Sequence, residues 1–448
     1  SAFPPLLSSP YCRTGYILFI AKCKRTRFKT MVFQALMESV RIRKYSRLPF
    51  CSIALMRVWI LCWIFCGETH GQSPPAEWNF EAYRKAHPEQ VSRILTSQSG
   101  KKDLEPVLDF HLNDQRKPAG NPQLRNQILA AWRDLLGPSQ RNSAPLQAKV
   151  LEETKFPNYV RKKVEYIGDP GEPIRAWLFV PRSAQKKNTP AMLCLHQTVR
   201  SGKDQCAAVD EIQPELAFGP LLAERGFITL CPDAICFGER YQVGGSFYCH
   251  YGDAVRIYYG NSGRSIMSKM VDDAMRAVDF LQTLPEVDKN RIGSIGHSHG
   301  GYGTLFAMAF DDRIKAGVVS CGFTCFRADN LPERWYRRTA LMPRLGAFEG
   351  RMHDAPVDFH HLFAAIAPRA LFLSVANQDS IFPQVGDMQW IEEDVRKVYE
   401  RNNAMEKFQC HVFDGEHAFT PQARDLACKF LDHQLKKKRK IKGGIRPC

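Results

Sequence analysis

The sequence predicts an α/β fold, a mostly parallel sheet with helices on both faces. Three observations predict it. From about Phe156, short apolar runs alternate with helical stretches. The runs are continuously apolar, as strands covered on both faces are. The intervening segments, such as "IMSKMVDDAMRAVDFLQTL", carry the apolar spacing of crossover helices.

Eight strands are expected: "VRKKVEYI", "IRAWLFVP", "AMLCLHQ", "FITLCPD", "RIGSIGH", "KAGVVSC", "RALFLSVA" and "FQCHVF". The first two flank "GDPGEP" and read as an antiparallel hairpin. Ahead of them lie two amphipathic helix candidates, Phe80–Leu95 and Gln123–Leu136, joined by a polar link. The organisation expected is a leader over 1–71, an N-terminal helical extension over 72–155, a catalytic domain over 156–435 and a basic tail over 436–448.

The net charge of +16 raises nucleic-acid binding and then removes it. Residues 1–70 hold 11 Lys/Arg against 2 Asp/Glu, and residues 436–448 hold 7 Lys/Arg and no acids. These ends account for the whole excess, so the body has no basic face for phosphates. No nucleic-acid partner is expected.

The opening stretch has no globular pattern and no Met at position 1, which suggests translated upstream sequence before a start at Met31, Met37 or Met56. From Met37 a basic region (Arg41, Arg43, Lys44, Arg47) precedes the apolar run "LPFCSIALMRVWILCWIFC" and the polar "GETHGQSPP". A cleaved signal peptide, and so an exported protein, is the favoured reading. An uncleaved membrane anchor is the second, weakened by Arg57 within the run.

Of 15 cysteines, several sit in strand-like runs (Cys194, Cys231, Cys410), where the thiol serves as a small hydrophobe. Cys321 and Cys325, in "CGFTC", invite a disulfide or a metal. No second pair with ligand spacing stands near in sequence, which argues against zinc. One or two disulfides stay open for an exported chain. No metal or cofactor is expected.

"GSIGHSHGGYG" carries the chemistry. A strand ends at His297 and a helix can start at His299, so Ser298 sits in the turn between them. Gly296-x-Ser298-x-Gly300 is a nucleophile elbow in its proper setting, with glycines where side chains would collide with the neighbouring strand and helix. A serine needs a base and the base an orienting acid. Asp379 follows the strand "RALFLSVA", and His417 follows "FQCHVF" in "DGEHAF". Asp414 competes as the acid but shares the short loop of His417. The oxyanion donors expected are the backbone N–H groups of His299 and Gln197, with His196 shaping the second loop. His297 and His299 are too close in sequence to reach the Ser298 hydroxyl in line, so His297 is expected to pack beneath the elbow.

"LCLHQTVRSGKDQ", "LLAERGFITLCPDAICFGER", "GSIGHSHGG", "ANQDSIFP" and "GEHAF" resemble, in order, the α/β-hydrolase superfamily. Within it they are most similar to the dienelactone-hydrolase-like and acetyl xylan esterase-like branch. The resemblance spans about Pro173–Leu435. It implies an α/β-hydrolase fold and metal-free ester hydrolysis through an acyl-serine. Dienelactone hydrolases use a cysteine nucleophile; the serine here favours simple ester cleavage, with deacetylation of a carbohydrate leading. The alternatives are a prolyl-oligopeptidase-like peptidase or amidase, and a non-catalytic binding protein on the same scaffold.

Two long connections, Gly238–Arg264 and Phe323–Leu362, are candidate pocket walls. In the second, Trp335, Tyr336 and Arg337 suit a sugar-stacking or acid-binding wall; the competing reading packs them onto the body. Glu239 and Arg240 read as a buried pair steadying the oxyanion loop or as a surface pair. His360 and His361 read as helix-start residues rather than metal ligands.

Overall fold

The structure is a computed structural model that describes residues 122–436, apart from 211–212, 241–261, 327–328, 330, 340 and 383–387. The leader, the first helix candidate and nearly all of the basic tail lie outside the described residues. No helix among the described residues is long and apolar enough to cross a membrane.

Helix α1 (Pro122–Leu136) opens the described chain. Then come β1 (Lys149–Lys155), β2 (Tyr159–Ile167), β3 (Pro173–Pro181), β4 (Thr189–Leu195), α2 (Lys203–Cys206), α3 (Phe218–Glu224) and β5 (Ile228–Pro232). The second half runs α4 (Ile266–Thr283), β6 (Val287–His297), α5 (His299–Phe310), β7 (Ile314–Ser320), α6 (Phe359–Ile366), β8 (Ala370–Ala376), α7 (Met388–Arg401), β9 (Phe408–Phe413) and α8 (Pro421–Leu435). The sheet order is β1-β2-β3-β5-β4-β6-β7-β8-β9. The pairs β1–β2, β2–β3 and β3–β5 are antiparallel, and the remaining pairs, from β5–β4 to β8–β9, are parallel.

The described sheet therefore has nine strands, where eight were expected. The extra one, "KVLEETK", is exposed along its whole length. It has no buried face to give a polarity period, and it holds to β2 by its ladder and by cross-strand ion pairs, Lys149–Glu165 at 2.7 Å and Lys162–Glu153 at 3.1 Å. The sheet thus begins before residue 156, and α1 belongs to the body as well. Its Ile128, Leu129, Trp132, Leu135 and Leu136 are buried on one helical face. Trp132 sits edge-on to Phe306 of α5 (5.0 Å) and Phe359 of α6 (5.9 Å).

Helices α1 and α4–α7 contribute to the apolar core on one face of the sheet, and α2, α3 and α8 to that on the other. Local chemistry sets the helix starts. The Ser265 side chain accepts from Ser268 N, and Thr420 accepts from Ala423 N with Pro421 as the first helical residue. Asp358 and His361 form a capping box on α6, so the expected helix-start role of these histidines holds for His361. Every parallel strand runs the same way, so the loops after β4, β6, β7, β8 and β9 gather at one edge of the sheet.

Truncating Trp132 tests whether α1 is part of this core. Trp132→Ala is expected to lower the unfolding free energy by about 3–5 kcal/mol, read from urea denaturation; a change below about 1 kcal/mol would show that α1 is a dispensable extension.

Candidate active site

Ser298 stands between β6 and α5 with φ 56° and ψ −117°, a left-handed conformation rare for a residue with a side chain. Close approach of α5 forces it. A Cβ on Gly296 would stand 2.1 Å from the Gly300 oxygen, and one on Gly300 would stand 2.0 Å from the Leu195 oxygen. The helix start is thus pressed onto β4 and β6, and the chain makes the sharp turn at Ser298. Ser298 N donates to Ser320 O at 2.8 Å, and Tyr302 N donates to Ser298 O at 3.1 Å. Ser298 is 8% exposed.

Asp379 and His417, 38 residues apart, meet at this edge: His417 Nδ1 donates to Asp379 Oδ2 at 2.7 Å. Asp379 Oδ1 accepts from Ile381 N and Phe382 N, both at 2.9 Å. Burial opposes ionisation of Asp379, but the hydrogen bond and charge of His417, with the two backbone donors, outweigh it and hold the carboxyl below its usual range. Asp414 instead accepts from the Asn377 side chain. His417 Nε2 is buried and has no hydrogen-bond partner among the described residues. The ring lies 4.7 Å from that of His297, one residue before the serine.

His297 packs beneath the elbow. Its Nδ1 meets Ser320 Oγ at 3.0 Å, and β6–β7 pairing sets His297 opposite Ser320. Burial, and then the neighbouring His417, push its pKa down to about 3 against an opposing pull from Asp379. Ser320 thereby braces the elbow twice, through its carbonyl and its hydroxyl.

The other edge of the site is the loop after β4. Leu195 pairs with Gly296, so the chain leaves β4 at His196 and Gln197 beside the serine turn. Ala234 N donates to His196 Nε2 at 3.0 Å, which leaves the ring hydrogen on Nδ1 to donate to Gln197 O at 2.7 Å. His196 also stacks on His299, with centroids 5.7 Å apart and planes 6° apart. Lys203 N and Nζ and Glu239 N donate to Asp233 from beneath this loop. Glu239 and Arg240 do not pair with each other. Glu239 takes Lys203, Lys163 and Arg175; Arg240 takes Glu172 and Asp273.

The structure corrects the wall residues. Trp335 is 1% exposed and Tyr336 4%, both within the core. Trp335 packs on Tyr302, Phe359 and Phe382, so it ties the connection to the body and offers no open stacking face. The Arg337 side chain lies outside the described residues. Nearer the dyad are Phe382, 5.7 Å from the His417 ring, and Arg334, whose guanidinium lies 5.6 Å over Phe382. Cys321, the residue after β7, donates to Ala418 O at 3.5 Å; burial, and then Asp379, push its thiol up to about 12. Nothing in the spacing of the sequence pointed to Phe382, Arg334 or Ser320. No disulfide joins Cys321 to Cys325.

Sheet, elbow and strand-end loops define an α/β-hydrolase. The chain matches the family described as "Glucuronyl esterase, fungi" over residues 234–401. It is 27% identical over 180 residues to YtaP of Bacillus subtilis, a hydrolase by name, across 39% of this chain and 56% of that protein. It is 29% identical over 164 residues to the 4-O-methyl-glucuronoyl methylesterase of Hypocrea jecorina, across 33% of this chain and 34% of that protein. The chain thus spans about half or less of the length of these curated relatives. Among solved structures it resembles the glucuronoyl esterase of Solibacter usitatus, with a TM-score of 0.54 and 18% identity over 71% of this chain and 94% of that one.

The depressed pKa of His297 gives a pH signature. As pH falls below the ordinary value of 6.5, the unfolded chain binds a proton here that the folded chain refuses until about 3. The folded state therefore loses stability across that window and no further below it. His297→Gln is expected to remove this acid-dependent part. The urea-midpoint difference between the two proteins should drift with pH between about 6.5 and 3 in disfavour of the wild type; parallel curves would refute the assignment.

Proposed function

We propose that the chain is a serine carboxylic-ester hydrolase acting on a carbohydrate ester through an acyl-enzyme. The observation that carries the reading is the Asp379–His417 pair with its unpartnered Nε2, set at the same sheet edge as the strained Ser298 turn. In this reading His417 Nε2 takes the proton of Ser298 Oγ as the oxygen attacks the ester carbonyl. Asp379 holds the Nδ1–H tautomer and stabilises the imidazolium. The backbone N–H groups of His299, at the N-terminus of α5, and of Gln197 receive the oxyanion. His417 then returns the proton to the leaving alcohol, and a water deprotonated by the same nitrogen cleaves the acyl-serine.

The sequence motifs favour an acetyl ester of a sugar; the matched family and the methylesterase relative favour an ester of a sugar acid. The two share every step above and differ in which side of the ester the sugar occupies. The peptidase and binding-protein readings gain no support from the relatives. Export, read from the basic and apolar leader, would place the enzyme with polymeric substrates.

Ser298→Ala is expected to lower kcat/KM on p-nitrophenyl acetate by about four orders of magnitude or more with an unchanged melting temperature. Undiminished turnover would sink the reading. A panel of acetylated xylo-oligosaccharides, alkyl glucuronates and peptide amides then assigns the substrate: peptide cleavage without ester cleavage would overturn an esterase.

A further inference from the structure

Two groups among the described residues bring three metal-ligand side chains within 4.8 Å of one another. One contains Asp379 and His417 of the serine site, with Cys321. The other, Cys325, Asp358 and His360, shares no residue with that site and is fully buried, at 2%, 1% and 3% exposure.

The fold assembles the second group from distant chain. Cys325 lies five residues past the end of β7, and Asp358 caps α6 33 residues later. Asp358 Oδ1 accepts from Phe326 N at 3.0 Å and Phe359 N at 2.7 Å, and the same carboxylate caps the backbone N–H of His361. Its Oδ2 is turned to Cys325 Sγ, 3.3 Å away. His360, the second residue of α6, completes the group.

The geometry points to a zinc site formed by Cys325 Sγ, Asp358 Oδ2 and an imidazole nitrogen of His360. Zinc bonds of about 2.3 Å to sulfur and about 2.0 Å to oxygen, at the tetrahedral angle, set those two atoms about 3.5 Å apart. The 3.3 Å observed is close to that edge. The imidazole nitrogen lies within 4.8 Å of both. A water takes the fourth position.

Charge and ligand type choose the ion. A thiolate, a carboxylate and a neutral imidazole cancel the two positive charges of zinc, so the loaded site is neutral where burial of net charge would be costly. Binding releases the thiol proton to solvent and forms the sulfur–zinc bond in its place. Magnesium and calcium prefer all-oxygen shells, whereas a mixed sulfur, nitrogen and oxygen set suits zinc. The ion would fasten the two ends of the connection that carries Arg334 and Trp335 beside the serine site, closing a long loop as a crosslink does.

The test is metal content of the full chain after growth with added zinc and removal of loosely bound ions. About one equivalent is expected in the wild type, and under about a tenth in Cys325→Ser and Asp358→Asn. Asn is as good a helix cap as Asp, so the second variant keeps α6 started while losing the ligand charge. Cobalt loading should give a near-ultraviolet thiolate charge-transfer band that Cys325→Ser lacks. Chelation should lower the melting temperature of the wild type and not of the variants. A metal-free wild type, or variants that retain the full equivalent, would overturn the proposal. So would an ion lost on Cys321→Ser but kept on Cys325→Ser, which would place it beside Asp379 and His417. Ester hydrolysis is not the readout, so the zinc site and the esterase reading fail independently.

Discussion

The close seating of α5 on β4 and β6 governs the molecule. At Gly296 and Gly300 there is no room for a single carbon atom: the Gly300 backbone fills the space at the first and the Leu195 carbonyl that at the second. With that approach fixed, the chain between strand and helix has one residue in which to reverse, and Ser298 takes the left-handed conformation. Such a backbone costs about 1–3 kcal/mol. It is held because α5 is buried from His299 to Ala309 and because Ser320 and Tyr302 bond the serine backbone on both sides. The same approach sets the N-terminus of α5, the positive end of its dipole, directly after the serine. The strain at Ser298 and its place at the start of α5 thus share one steric cause.

The loop facing α5 is held by charge. Lys203 is buried against Asp233, and Asp233 gathers the backbone N–H groups of Lys203 and Glu239 besides. Glu239 is drawn down to about 2: burial opposes the shift, but its hydrogen bonds from Lys203, Lys163 and Arg175 win. Beside it Arg240 and Lys269 share Asp273 and Glu172, and Arg264 joins Asp169 to Asp272. Buried pairs of this kind add little net stability, because desolvation consumes most of their attraction. Their effect is positional: removing one partner strands a buried charge, so the loop has one arrangement rather than several.

Much of this was legible in the sequence, and the exceptions share a reason. Strand β2 was readable from the hairpin turn it shares with β3, and most of the later strands as apolar runs; β1 was not, because an exposed edge strand has no buried face to set a pattern. Strand β6 starts at Val287 rather than Arg291 because its first residues are polar and mostly solvent-facing. Chain order brought Ser298, Asp379 and His417 forward as a set, since each follows a strand that ends at the same edge. Trp335 and Tyr336 stood open between pocket wall and core because composition cannot tell an aromatic facing a ligand from one facing its own core; both are buried. The pairing of His297 with Ser320 depends on register between parallel strands, which no local pattern records. The meeting of Cys325 with Asp358 and His360 depends on where a 33-residue excursion returns.

The three histidines around the serine show how burial divides one chemical group among several tasks. His297 and His299 are each 2% exposed, and the His417 side chain 13%. His417 has the Asp379 carboxylate on Nδ1, so a proton arriving at Nε2 makes an ion that Asp379 stabilises. His297, 4.7 Å from it, has only a neutral hydroxyl and is pushed far down by desolvation. It therefore stays uncharged when its neighbour is protonated. A second imidazolium at that distance would oppose the charge that builds on His417 as the serine attacks. The His297 ring, dry and neutral, supplies a packing surface beside His417. His299 stacks on His196, and in the proposed mechanism its part is its backbone N–H. Three imidazoles crowd one serine, and the carboxylate on His417 is why the proposed mechanism takes that ring as the base.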